Sequence, residues 1–134
     1  MPLDPKPLRN AIARLREGLE RYRNAPDDEQ LRDGLIQRFE FTYELSHRTL
    51  RRYLAETAPS PDEIAHLPFP DLIRRAADQG LIRGGWPAWR RFREMRTRTS
   101  HTYDEATAAV VVAEIPSFLN EAEHLLAQIE NRPA

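Results

Sequence analysis

The chain contains no cysteine among its 134 residues. That excludes a disulfide framework and any thiolate zinc site. Lysine is nearly absent as well: of the 20 basic residues only Lys6 is lysine, and the rest are arginine. Long apolar runs are also missing. The longest, "AAVVVA" at 108–113, is far too short to span a bilayer. The N-terminal "MPLDPKPLRN" has no apolar signal core, so the expectation is a soluble cytoplasmic protein with no membrane partner. Neither end carries a block of like charge, and the formal net charge is -1. Bulk charge therefore does not announce a nucleic-acid binder. No segment alternates apolar and polar residues in the manner of a strand. The phosphate-binding glycine loop is missing too, because "RGGW" at 83–86 lacks its pattern. There is no nucleophile elbow and no cysteine–histidine pair.

What remains is helical. Leu8, Ile12, Leu15, Leu19 and Tyr22 recur at spacings of four and three, which predicts a helix ended by Pro26. Asp27 or Asp28 can cap the next one. That second helix is long, with Leu31, Leu35, Phe39, Tyr43, Ser46, Leu50 and Tyr53 in one stripe. Ile36, Leu45 and Leu54 widen it, and a wide stripe suggests burial on two sides. "TAPSPDEIAHLPFP" at 57–70 reads as a connection, and "DLIRRAADQG" as a short helix ended by Gly80. A further helix carries Trp86, Trp89, Phe92 and Met95 or Arg96 on its apolar face, with Pro87 in its first turn. The last helix should start at Asp104 and run to about Asn131, with Ala109, Val112, Ile115, Leu119, Ala122, Leu126 and Ile129 inward and a kink at Pro116. The expected fold is all-α: a single antiparallel helical bundle of about five helices over residues 1–134. Apolar stripes broader than one small bundle should cover point to a homodimer.

The stretch "RTRTSHTYDE" at 96–105 lies where the fifth helix should end. Arg96 and His101 are five residues apart, about 140° around an ideal helix, and would not share a face if the helix ran on. Thr97, Thr99, Ser100 and Thr102 compete for backbone hydrogen bonds, and Asp104 caps the last helix. A break there lets the histidine swing back over the last turn. From Arg83 to Arg98 six arginines stand against one acid, Glu94, with Trp86, Trp89 and Phe92 between them. Basic groups beside aromatics suit phosphate and base contacts. A histidine at a helix C-terminus also has the plainer role of meeting the helix dipole. Glu40 and Glu44, four apart, share one face of the second helix. No histidine stands at ligand spacing beside them, so no metal is expected. Either one of them orients an arginine such as Arg96, or both face solvent.

Two stretches resemble a known family, the small HEPN-like proteins called nucleotidyltransferase substrate-binding proteins, encoded beside a minimal nucleotidyltransferase of the MNT type. "LIQRFEFTYELSHRTLRRYL" at 35–54 is similar to the family's Q-x-F-E-x-x-x-E-L helix. "RTRTSHTYDEATA" at 96–108 is similar to its R-x-x-x-x-H-x-Y motif followed by Asp-Glu, here Asp104 and Glu105. The chain departs from the pattern at Thr97, where relatives usually have asparagine, and at His47, where they usually have tryptophan. The resemblance implies a dimer that brings two R-x-x-x-x-H motifs into one cleft. It implies metal-independent RNA cleavage with Arg96 and His101 catalytic, in the toxin half of a toxin–antitoxin pair. It also implies silencing by adenylylation of Tyr103. Glu40, Glu44, Thr97 and Asp104 are the expected supporting residues of the site, and no cofactor is implied. The alternative is a non-catalytic nucleotide-binding subunit of a two-component nucleotidyltransferase.

Overall fold

A computed structural model describes residues 3–132. Its elements, in chain order, are α1 (Lys6–Asn24), α2 (Glu29–Thr57), α3 (Pro61–Ala65), α4 (Phe69–Asp78), α5 (Gly85–Arg98), a single 3₁₀ turn (Thr99–His101) and α6 (Glu105–Asn131). The described residues are thus all helix and connection, and α1, α2, α5 and α6 form the bundle. The stretch expected to be a plain connection before α4 contains the five-residue α3. Pro61 supplies its first turn, where a missing N–H costs nothing, and Ile64 anchors it in the core with no exposed surface.

Local chemistry sets the boundaries. α1 stops at Asn24, two residues before Pro26. The Asp28 carboxylate accepts a hydrogen bond from Leu31 N at 3.0 Å and starts α2. Gly80 ends α4 with φ +72°, a left-handed geometry in which a Cβ is strained. Leu81 N then bonds back to Ala76 O at 3.0 Å. Asp104 caps α6 by accepting from Ala106 N at 3.0 Å.

The core centres on aromatic rings. Phe118 of α6 meets Phe39 of α2 edge-on at 5.2 Å and Phe92 of α5 at 5.4 Å, and Trp89 lies 6.1 Å away. All four are essentially unexposed. Burying a side chain of this size contributes about 2–3 kcal/mol, and edge-on pairs add about 1 kcal/mol. In the stripe of α6, Ile115, Leu119, Ala122 and Ile129 are buried as expected, but the rest of the line is shifted. Ala108, Val111, Phe118 and Leu125 are buried, while Val112 and Leu126 are half-buried and Ala109 is exposed. The helix sits against α1, α2 and α5 at once, so its buried arc is broad and centred one residue earlier than periodicity alone suggests. Helix α6 continues through Pro116. No described helix is long and apolar enough to cross a membrane. Phe41 stays 58% exposed, and Val110 is exposed too.

Candidate functional site at the end of the fifth helix

Helix α5 runs beside α2, and its last turn carries Arg96. The Arg96 Nε donates to Glu44 Oε1 at 2.7 Å. Its Nη2 lies 3.5 Å from Glu40 Oε1, and its Nη1 donates to Thr99 Oγ1 at 3.4 Å. The two carboxylates four apart on α2 therefore act together, both turned to the arginine. Three of the five guanidinium N–H groups are engaged, which leaves two for a ligand. The side chain is 31% exposed, so those two reach the surface.

Hydroxyls end the helix as the sequence suggests. Thr97 Oγ1 donates to Arg93 O at 3.1 Å, Thr99 Oγ1 to Arg96 O at 2.6 Å, Ser100 Oγ to Thr97 O at 3.2 Å and Thr102 Oγ1 to Thr99 O at 3.3 Å. Each draws on a carbonyl of the last turns. The chain tightens into the 3₁₀ turn that ends at His101, and Asp104 N closes onto His101 O at 3.2 Å. His101 is exposed. Its ring stands edge-on to Tyr103 with centroids 6.3 Å apart. Tyr103 is 85% exposed. Among the described residues no hydrogen bond joins Arg96 to His101. They form two neighbouring parts of one helix end, the arginine braced and the imidazole open. Asp104 serves as the α6 cap, and the Thr97 hydroxyl bonds backward along its own helix.

Below Arg96 lie groups that sequence reasoning passed over. Thr99 is buried and links Arg96 to the turn. Its position three after the arginine was the available signal. The Arg93 guanidinium sits 5.6 Å above the Phe69 ring, a cation–π arrangement. The His47 ring packs against Phe69 at 4.4 Å. Burial first, and then the Arg51 charge, lowers the His47 pKa from its ordinary value. Arg51 Nη2 lies 3.3 Å from His47 Nε2. Because arginine only donates, that nitrogen accepts and the proton sits on Nδ1. Burial also pushes the Tyr43 phenol up to about 12. On the far side of the turn, Arg32 of α2 donates to Glu105 at 2.6 Å and ties the start of α6 to α2. That hydrogen bond is the main reason the Arg32 pKa is raised.

His66 and His124 take no part in this region. His66, just past the end of α3, has its Nδ1 2.9 Å from Asp62 O, and His124 Nε2 lies 3.1 Å from Gly80 O. Among the described residues no cluster of three or more His, Asp or Glu side chains is placed to hold a metal ion. A larger groove of about 680 Å³ between α1 and α2, walled by Arg14, Gln37, Arg38 and Phe41, includes neither Arg96 nor His101.

Fold and site together define a small helical bundle with a braced arginine and an open histidine at one helix end. The chain belongs to the family described as nucleotidyltransferase substrate binding protein like, whose profile matches residues 3–131. It is 44% identical over 99 residues to a Haemophilus influenzae protein named probable ribonuclease HepT, covering 74% of this chain and 67% of that one. A solved H. influenzae structure is described as revealing the fold of a substrate binding domain of a nucleotidyltransferase. It superposes with a TM-score of 0.88 at 36% identity, covering 96% of this chain and all of that one. A Thermus thermophilus structure superposes at 0.73 with 28% identity, over 93% and 99% of the two chains.

Proposed function

We propose that this single-domain protein is a metal-independent endoribonuclease, acting as a homodimer and as the toxin half of a pair with an MNT-type nucleotidyltransferase. The observation that carries the reading is the bracing of Arg96. Glu44, Glu40 and Thr99 fix the guanidinium while two N–H groups stay available for phosphate oxygens. An exposed imidazole, His101, comes on the next turn. The name of the H. influenzae relative, probable ribonuclease HepT, supports the same reading.

In this mechanism one His101 accepts the proton of an RNA 2′-hydroxyl. The 2′-oxygen bonds to the adjacent phosphorus, and the bond from phosphorus to the 5′-oxygen breaks. The second protomer's histidine, protonated, gives that oxygen its proton. The products are a 2′,3′-cyclic phosphate and a 5′-hydroxyl. Histidine suits both transfers because the imidazole titrates near neutrality. Arg96 meets the charge that grows on the phosphorane. Tyr103, 85% exposed, is open to modification. Its phenolic oxygen would attack the α-phosphorus of ATP on the partner transferase and release pyrophosphate. The attached AMP puts bulk and negative charge beside His101.

The test is cleavage of end-labelled RNA in EDTA by the wild type, His101→Ala and Arg96→Ala. Cutting by the wild type alone, with a cyclic phosphate end, is the expected result. An inert wild type that is a folded dimer free of AMP overturns the nuclease reading. It would leave the chain as a non-catalytic nucleotide-binding subunit of the transferase, the reading closest to the family's description.

A further inference from the structure

Beyond Arg96, the same face of α2 and α5 continues as a row of cations. The two helices run antiparallel here, since Arg96 meets Glu40 and Glu44 while Arg93, one turn earlier, reaches the ring beside His47. Further along α2 come Arg48, Arg51 and Arg52. They line a groove of about 340 Å³ with His47, Ala55 and Ala65. Residues 44, 48, 51 and 52 follow helical spacing on one face. The row spans roughly 12 Å along the axis.

Three features separate this row from an ordinary solvated face. Arg51 is held in place: its Nη1 donates to Ile64 O at 2.9 Å and to Leu67 O at 2.8 Å, two carbonyls around the end of α3. Phe69 is clasped between His47 and Arg93, which fixes the height of the Arg93 guanidinium. Arg48 and Arg93 are both exposed, and neither has a carboxylate partner among the described residues. Several other arginines sit against acids, as in Arg16–Glu123, Arg32–Glu105 and Arg91–Glu114, whereas Arg14, Arg23 and Arg98 share the lack of a carboxylate partner among the described residues. Within the row, the carboxylates are taken up by Arg96, where Glu40 and Glu44 share one guanidinium, and by Arg52, which pairs with Glu56.

We infer that Arg93, Arg48 and Arg51 form a phosphate track that holds the backbone of single-stranded RNA on one side of the scissile phosphate. The inference rests on the nuclease reading and adds where the strand runs: from His101 and Arg96, past Phe69, into the groove between α2 and α3. The track reads charge and not sequence, because its members offer guanidinium groups, which donate and carry no acceptor.

The test measures binding of a short fluorescent single-stranded RNA by polarisation across a salt series. The full-length His101→Ala protein serves as the uncut parent. Arg48→Gln with Arg93→Gln in that background should weaken binding. It should also flatten the slope of log affinity against log salt by about 0.7 per arginine removed, about 1.4 for the pair. Arg48→Lys with Arg93→Lys should keep the slope, since lysine preserves the point charge. An unchanged slope in the Gln pair, with the parent binding RNA, overturns the track and leaves the nuclease reading standing. A parent that binds no RNA overturns both. If the Gln pair binds RNA normally but loses a purified partner transferase, the row is a docking face for acidic protein, and the RNA assignment is wrong.

Discussion

Glu121 gives the sharpest test of what holds the arginine-bearing helix in place. This carboxylate is only 7% exposed, on the inner side of α6. It accepts from Gly84 N at 2.7 Å, from Arg83 N at 3.1 Å and from the Trp89 indole Nε1 at 3.0 Å. The first two are backbone groups at the start of α5, where no side chain of the helix itself provides a cap. Glu121 is therefore a cap supplied from another helix. Gly84 fits because it lacks a side chain: a Cβ there would lie 2.6 Å from Ala88 Cβ and 2.9 Å from Glu121 Oε1.

Replacing Glu121 with alanine strands these donors. The Trp89 N–H is fully buried and carries the whole penalty, about 1–3 kcal/mol for an unpaired buried group. Water reaches the two backbone N–H groups in part, so each adds less. The expected loss is about 3–4 kcal/mol, a large share of the roughly 5–15 kcal/mol that holds a typical domain. Glu121→Gln keeps one acceptor oxygen but turns an NH₂ toward Arg83 N, and should cost about 1 kcal/mol. Urea unfolding followed by far-UV circular dichroism, at fixed protein concentration, measures both. In a double-mutant cycle with Trp89→Phe, the coupling should be about 1–2 kcal/mol. A Glu121→Ala protein that loses less than about 1 kcal/mol and shows no coupling refutes the argument.

Two further outcomes come from the geometry. Glu44→Gln should change stability by less than about 1 kcal/mol, because the pair is half exposed. It should still lower kcat/KM for RNA cleavage by roughly ten- to a hundredfold, and equal activity would show that bracing Arg96 is irrelevant. His47 has a lowered pKa in the folded state, so below about pH 6.5 the unfolded chain binds the extra proton first. Stability is then full above that pH and falls as the pH drops toward the folded-state value. Glu44 favours the charged imidazole, while Arg51 and Arg93 oppose it. A thermal-melting series should show this loss, and His47→Phe should remove it.

Helix positions were legible because punctuation and periodicity agree. Asp28, Gly80 and Asp104 each cap or end a helix as their residue types dictate, and the hydroxyls of 97–102 end α5. The five-residue α3 was not legible, since Pro61 and the prolines on either side of the helix read equally well as a connection. Part of the inner line of α6, at Ala109, Val112 and Leu126, slipped by one residue because its packing against three helices is a tertiary fact. Glu121 was invisible for a related reason: a glutamate among apolar neighbours looks like a polar-face residue until its donors, nearly forty positions away, come into view. Within the site, spacing put Glu40 and Glu44 on one face, and their pairing with Arg96 was one of two readings that the sequence left open. The contact with Thr99 and the clasp of His47 and Arg93 on Phe69 needed the fold.

The bracing of Arg96 has an electrostatic consequence for the whole face. Two carboxylates on one guanidinium leave that spot with a formal charge of about -1 before any ligand arrives. Such a site repels phosphate unless cations nearby outweigh it. Arg93, one turn before Arg96, lies on the approach and has no carboxylate partner among the described residues. Arg48 is likewise without one, on α2 beyond Glu44. The bracing thus favours orientation over raw attraction at the point of chemistry and leaves attraction to the neighbouring row. On this division of labour, removing Glu44 should tighten RNA binding while slowing cleavage, whereas removing Arg48 and Arg93 should weaken binding and leave the turnover of bound RNA nearly unchanged. Single-turnover cleavage at saturating protein separates the two. If both changes move binding and turnover together, orientation and attraction are not divided between these residues.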